Sequence, residues 1–266
     1  MLSMKQRFLM DTYGYVIVPD LVDPAFMERI CDAMDRMDQE LPAVPRSTVV
    51  EPGKPSKYVG EPHFSKFGPC IEYDPVFMDI AMHPPILSIA EEIIGGPVRH
   101  EEQECSINTR EPGVKEFDVR DLGWHRGISP DFSRYEAKGN AHYLWIKAIV
   151  FLTDIGPEDG GTSVIPGTHR ADSHGEIIPE VEPWMVHQAT GKAGSVLFFS
   201  EALIHAVTPI LSDRKRYIMI TGYVAPFMRE YSSCCQSSAA FLEKLTDEQR
   251  TFMTGDSNRP YYSFRL

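Results

Sequence analysis

No stretch of about 18 consecutive apolar residues occurs in this chain, which excludes a membrane-spanning helix. The first residues, Met1-Leu2-Ser3-Met4-Lys5, lack the apolar segment of an export signal, so secretion is not expected. Positive charge is in deficit: 26 Lys and Arg stand against 38 Asp and Glu, for a formal net charge of -12. Nucleic acid and anionic membranes are held by clustered basic faces, so neither is an expected partner. Cysteine is scarce. The thiols Cys31, Cys70, Cys105, Cys234 and Cys235 are odd in number and include no Cys-x-x-Cys pair, which argues against a disulfide framework and a structural zinc site. A reducing cytoplasmic location fits that usage, and the adjacent Cys234-Cys235 reads as inert. No repeat or linker divides the sequence, so residues 1–266 are expected to form one domain with a large core.

What is present divides into a helical first third and a β-rich remainder. Asp23-Pro24 reads as an N-cap followed by proline at the first helical position, and Met27, Ile30, Cys31, Met34 and Met37 recur at helical spacing. Asp74-Pro75 opens a second helix, and residues 85–94 form a third, stopped by Gly95-Gly96. Residues 45–70, rich in Pro, Gly, Ser and Lys, read as a long loop of the kind that closes over a site. Farther on, β-branched and aromatic runs at 144–152, 162–165, 195–199 and 217–224 alternate with turn residues. This spacing suits an antiparallel sandwich or jelly roll. Thr246-Asp247-Glu248-Gln249 is a capping box, with Gly255 as its stop. The expected divisions are a helical part over about 20–95, a β core over about 98–226 and a C-terminal helical segment over about 237–254.

The chemistry-bearing residues are two histidines and an arginine. A mononuclear iron(II) oxygenase site needs two imidazoles and usually a carboxylate on one face of the metal, leaving the other positions open. His125, in Gly123-Trp124-His125-Arg126-Gly127, precedes a β segment, and His205 follows the apolar run 195–199. Arg216, in Ser212-Asp213-Arg214-Lys215-Arg216-Tyr217, enters another strand with a planar fork suited to a carboxylate. Where a His-x-Asp element carries its carboxylate, this chain has Gly127.

On these residues the chain resembles the phytanoyl-CoA dioxygenase family of iron(II)/2-oxoglutarate oxygenases. The resemblance runs from Gly14-Tyr15-Val16-Ile17-Val18-Pro19, through Trp124-His125-Arg126-Gly127 and the stretch from Leu152-Thr153-Asp154 to Pro166-Gly167-Thr168-His169, to His205 and Ser212-Asp213-Arg214-Lys215-Arg216. Each motif is weak alone, but their order and spacing together are specific. The resemblance implies a mainly β fold with flanking helices, a double-stranded β-helix of the jelly-roll, cupin-like type. It implies His125 and His205 as iron(II) ligands, Arg216 on the distal carboxylate of 2-oxoglutarate, and O2 as oxidant. By position Tyr143 and Arg126 match cosubstrate contacts, although their residue types differ, and Thr208 is assigned to the same pocket.

Gly127 offers the metal no ligand. In iron halogenases that resemble this pattern, Gly or Ala at this place lets chloride or bromide coordinate the iron. Radical halogenation at an unactivated C–H bond of a small molecule is therefore the leading expectation. Hydroxylation is the alternative if water, Asp131 or Glu201 takes the missing place; Glu201 shares a period-2 face with His205 if that segment is extended. A catalytically silent binding protein on the same fold is the third reading. Arg126, Arg120 and Lys57 suggest an anionic group on the substrate, and His63, in the long loop, is a possible substrate contact. One of His142 and Tyr143 is expected to face the site. Surface roles are expected for His83, His100, His169, His174 and His187.

Overall fold

The computed structural model describes residues 1–45, 51–59, 63–137, 139–170, 180–229 and 236–255. The helices are α1 (Met4–Tyr13), α2 (Pro24–Glu40), α3 (Pro75–Ala81), α4 (Pro84–Ile94), α5 (Ala239–Leu242) and α6 (Asp247–Thr254). The strands are β1 (Tyr15–Val18), β2 (Ala43–Val44), β3 (Ser56–Val59), β4 (Phe64–Gly68), β5 (Arg99–Asn108), β6 (Arg134–Ala137), β7 (Asn140–Tyr143), β8 (Trp145–Phe151), β9 (Gly161–Val164), β10 (His187–Gln188), β11 (Val196–Ser200), β12 (His205–Thr208) and β13 (Arg216–Val224).

The helices start where their caps dictate. Asp23 accepts from the Phe26 amide at 3.0 Å, and reciprocal capping boxes join Ser3 to Gln6 and Thr246 to Gln249. Gly95 ends α4 and Gly255 ends α6 in the left-handed conformation, at φ 91° and 73°.

Strand alternation then sorts the side chains into two layers. The large sheet runs β1-β11-β8-β13-β5-β4-β3-β2, and a smaller one runs β10-β9-β12. On β8, Ile146, Ala148 and Val150 share a core with Ile30 and Met34 of α2, Phe77 of α3 and Ile89 of α4. Ile149 and Phe151 face the other way and pack with Leu197 and Phe199 of β11, Ile218 of β13 and, from the small sheet, Val164 of β9. This is a jelly roll with helices covering the outer face of its larger sheet, as expected. Its inner face holds the candidate site.

Three expectations are corrected. Residues 45–70 do not form one long loop: β3 and β4 extend the large sheet, with Phe64 opposite Asn108 and Phe67 opposite Cys105; positions 46–50 and 60–62 lie outside the described residues. Alternation of aromatic and polar residues at a sheet edge outweighs the Pro/Gly-rich composition there. His100 and His169 are buried rather than superficial, and burial lowers their pKa values to about 3 and about 4. Helix α1 was not anticipated, although its Ser3/Gln6 box is written in the sequence. Cys31, Cys70 and Cys105 are free thiols, whereas Cys234 and Cys235 lie outside the described residues. Among the described residues no helix is long and apolar enough to cross a membrane.

Candidate active site

The two histidines meet through the backbone. His125 and His205 form an isolated antiparallel bridge, with His125 N–H donating to His205 O at 3.0 Å and the reverse bond at 2.9 Å. Such a pair projects both side chains to one face, and the imidazole centroids lie 4.3 Å apart. Trp124 holds the first segment down: its indole donates to Val119 O at 2.7 Å and packs with Ile165, Ile204 and Ala206.

Each ring is fixed by its own chain. His125 Nδ1 lies 2.9 Å from Gly123 O, and His205 Nδ1 lies 2.9 Å from Leu203 O. A carbonyl only accepts, so Nδ1 carries the proton in both rings and each Nε2 keeps its lone pair. This is the tautomer a metal needs, held by the outer contact that metal-binding imidazoles usually have. Burial, and next the neighbouring His125, lowers the His205 pKa to about 3 and keeps that ring neutral.

Gly127 explains its own residue type. A Cβ built on it would fall on Glu201 Oε2 and lie 3.0 Å from the Glu201 Cδ. The space a side chain at 127 would take is filled by a carboxylate from position 201. The backbone joins the same two positions, Gly127 N–H donating to Glu201 O at 2.9 Å. Glu201 is 2% exposed; its Oε1 has no hydrogen-bond donor and lies 3.5 Å from Lys147 Nζ. Burial raises the Glu201 pKa against the pull of Lys147. Asp131 does not reach this place; it is exposed and sits against the Ser129 hydroxyl at 3.3 Å. Among the described residues, no three His, Cys, Asp or Glu side chains already stand in a metal-binding arrangement.

Arg216 lies at the far end of β12 from His205. A Cβ on Gly160 would fall on Arg216 Nη1 and lie 2.7 Å from Thr208 O, so the guanidinium sits beside the third residue past His205, roughly 10 Å along the strand. It is 2% exposed. In the amide orientation that satisfies both partners, Asn108 accepts from Nη2 at 2.9 Å, while Nε and Nη1 have no partner. Burial lowers its pKa to about 10, opposed by Asp159, so it is charged at neutral pH. A buried cation with two unmet donors fits a carboxylate.

The remaining sequence candidates have other partners, although the Thr208 carbonyl lies close to Arg216. The Tyr143 hydroxyl donates to Met10 O at 3.4 Å, and its ring is wholly buried beside that of His169; it packs in the helix-side core and not beside Arg216. His142 stacks on Tyr135 at 5.2 Å. The Thr208 hydroxyl meets Ser163 Oγ at 2.6 Å, on the strand face opposite His205. Arg126 is half-buried in the segment carrying His125, where burial lowers its pKa against Asp131. Lys57 pairs with Asp38 at 2.6 Å and Arg120 with Asp118 at 2.8 Å, which removes two of the three cations that suggested an anionic substrate. His63 faces Glu111 at 3.7 Å. The sequence reading missed Lys147 and Glu102, although a lone lysine in the apolar strand Trp145–Phe151 was a usable signal.

Residues 10–218 match the phytanoyl-CoA dioxygenase (PhyH) family. A relative among curated proteins is the L-proline trans-4-hydroxylase of Streptomyces griseoviridis, 22% identical over 182 residues; the match spans 58% of this chain and 65% of that protein. Among solved structures, HygX from Streptomyces hygroscopicus with nickel and 2-oxoglutarate bound aligns with a TM-score of 0.66 and 21% identity, covering 87% of this chain and 91% of its own. The α-ketoglutarate-dependent epimerase SnoN from nogalamycin biosynthesis aligns with a TM-score of 0.60 and 18% identity, covering 83% of this chain and 82% of its own. At these identities the structural likeness establishes the fold.

Proposed function

The chain belongs to the phytanoyl-CoA dioxygenase family of iron(II)/2-oxoglutarate-dependent oxygenases, and on that premise we propose that it oxidises an unactivated C–H bond of a small molecule, with Glu201 supplying the carboxylate that Gly127 lacks. The observation that carries this reading is the Glu201 carboxylate lying in the side-chain space of residue 127. His125 and His205 each offer Nε2, with Nδ1–H held by a backbone carbonyl. Arg216 orients the cosubstrate through its distal carboxylate. When bound, iron(II) with 2-oxoglutarate supplies the O2 activation needed for C–H cleavage. Phe199, edge-on to His205 at 4.8 Å, and the apolar layer behind it keep water from that side of the site.

The carboxylate also bears on the halide question. A halide beside Gly127 would have to enter space that the Glu201 carboxyl group already fills. Hydroxylation, the reaction in the name of the proline-hydroxylase relative, is therefore the favoured outcome. Halogenation remains the second reading because the described residues present two imidazoles without a preassembled third donor. The substrate class is a small molecule, as for HygX, whose structure has also been solved with hygromycin B.

Anaerobic addition of iron(II) and 2-oxoglutarate tests the proposal. The expected result is a visible charge-transfer absorption that requires both components and is unchanged by chloride. A band that shifts with chloride would favour halogenation; absence of any band would leave a catalytically silent fold.

A further inference from the structure

Lys147 is an anomaly in its strand. Its same-face neighbours Ile149 and Phe151 pack in the inner core, yet this cation is placed among them with its side chain only 17% exposed. A charge so desolvated persists only when it is paired. Glu102 Oε1 lies 2.5 Å from Lys147 Nζ and Glu201 Oε1 lies 3.5 Å from it on the other side.

The sheet is built to allow this three-residue line. Lys147 stands opposite Gly222 on β13, and a Cβ at Gly222 would come within 3.1 Å of Glu102 Cγ; glycine there leaves room for Glu102 to cross to the lysine. On its other side Lys147 stands opposite Phe199, two residues before Glu201. The Glu201 amide donates to Trp145 O at 3.1 Å, which fixes the backbone of position 201 beside the start of β8. Side-chain exposure falls from 17% at Glu102 and Lys147 to 3% at Glu201, so the line leads inward.

We propose that Lys147, anchored by Glu102, is the positioning residue that holds the Glu201 carboxylate over Gly127 beside the two histidines. This rests on the reading of Glu201 as the missing carboxylate. The Lys147–Glu102 couple is electrically neutral as a unit. Removing both members therefore takes away the support for Glu201 while leaving the net charge around the histidines unchanged.

The test is Mn(II) affinity of the otherwise unliganded protein, followed by the electron paramagnetic resonance signal of free Mn(II). Lys147→Met/Glu102→Gln, and independently Lys147→Gln/Glu102→Gln, are expected to weaken Mn(II) binding about 10- to 100-fold, as for loss of other outer contacts to metal ligands. Lys147→Arg should stay within about threefold of the parent, because it restores the cation; a purely space-filling role would not distinguish arginine from methionine in this way. Glu201→Gln separates the two layers of the argument. If it weakens Mn(II) binding while the Lys147 variants match the parent, the positioning role is wrong and the Glu201 reading stands. If Glu201→Gln itself binds Mn(II) like the parent, both fall.

Discussion

Glu201→Ala is expected to weaken metal binding by at least about 100-fold, because loss of an outer contact alone typically costs 10- to 100-fold and this substitution removes a direct donor. Turnover should fall with it. Gly127→Asp alone should not improve the protein: its Cβ falls on Glu201 Oε2, so the chain must overpack and bring two carboxylates together in a buried place. A destabilisation of about 1–3 kcal/mol is expected from the overpacking. The double change Gly127→Asp/Glu201→Ala moves the carboxylate from the turn after β11 to the bend after His125 and relieves that clash. Metal affinity should then return to within about tenfold of the parent. The effects of two residues sharing one space are not additive, and this rescue is the signature of that sharing. If Glu201 is a bystander, the single alanine variant will bind metal normally and the double variant will behave like Gly127→Asp without the clash. Metal titration of the four proteins distinguishes these cases.

Arg216→Leu is expected to act on the cosubstrate and hardly at all on the metal. Truncating one partner of a buried charged pair costs about 2–5 kcal/mol, or roughly 30- to 5,000-fold in 2-oxoglutarate affinity. The imidazoles are at the other end of β12, so metal affinity measured without cosubstrate should change by less than about threefold. The unliganded protein should tolerate the change well. Nε and Nη1 are buried without partners, and replacing a desolvated cation with an apolar side chain of comparable bulk is often neutral or stabilising. A leucine variant that keeps the parent's 2-oxoglutarate affinity would remove Arg216 from the cosubstrate site.

The sequence made the fold legible where local chemistry and tertiary packing agree. Asp23-Pro24 and Thr246-Asp247-Glu248-Gln249 mark helix starts because the capping geometry is local, and the structure places helices there. Strand runs such as 217–224 were readable for the same reason, since β13 is apolar on both faces and buried along most of its length. Residues 45–70 misled because their composition is that of a loop, while β3 and β4 owe their structure to a neighbour, β5, that composition does not reveal.

The site was legible to a similar depth. The His125–His205 pair and Arg216 carry residue types that the pattern singles out, and the fold sets the two histidines in one bridge. Tyr143 and Thr208 were assigned by position alone, and their hydroxyls are engaged by Met10 and Ser163. Glu201 could be named only as one of several substitutes, on an alternation with His205 that required an extended segment. Residues 201–203 instead form a turn, with Leu203 N–H donating to Ser200 O at 2.8 Å, and nothing along the chain shows that this turn carries the side chain into the space above Gly127. Lys147 could be noticed as a lone lysine in an apolar strand, but its pairing with Glu102 could not. Their relation crosses three strands through Gly222, and no spacing along the chain encodes it.

The most direct test of the central claim is a crystal structure grown anaerobically with iron(II), 2-oxoglutarate and bromide. The account predicts His125, His205 and a Glu201 oxygen on the metal, the distal carboxylate of 2-oxoglutarate on Arg216, and no bromide beside Gly127. A metal bound by the two histidines with bromide at that position, and no Glu201 oxygen on the metal, would contradict it.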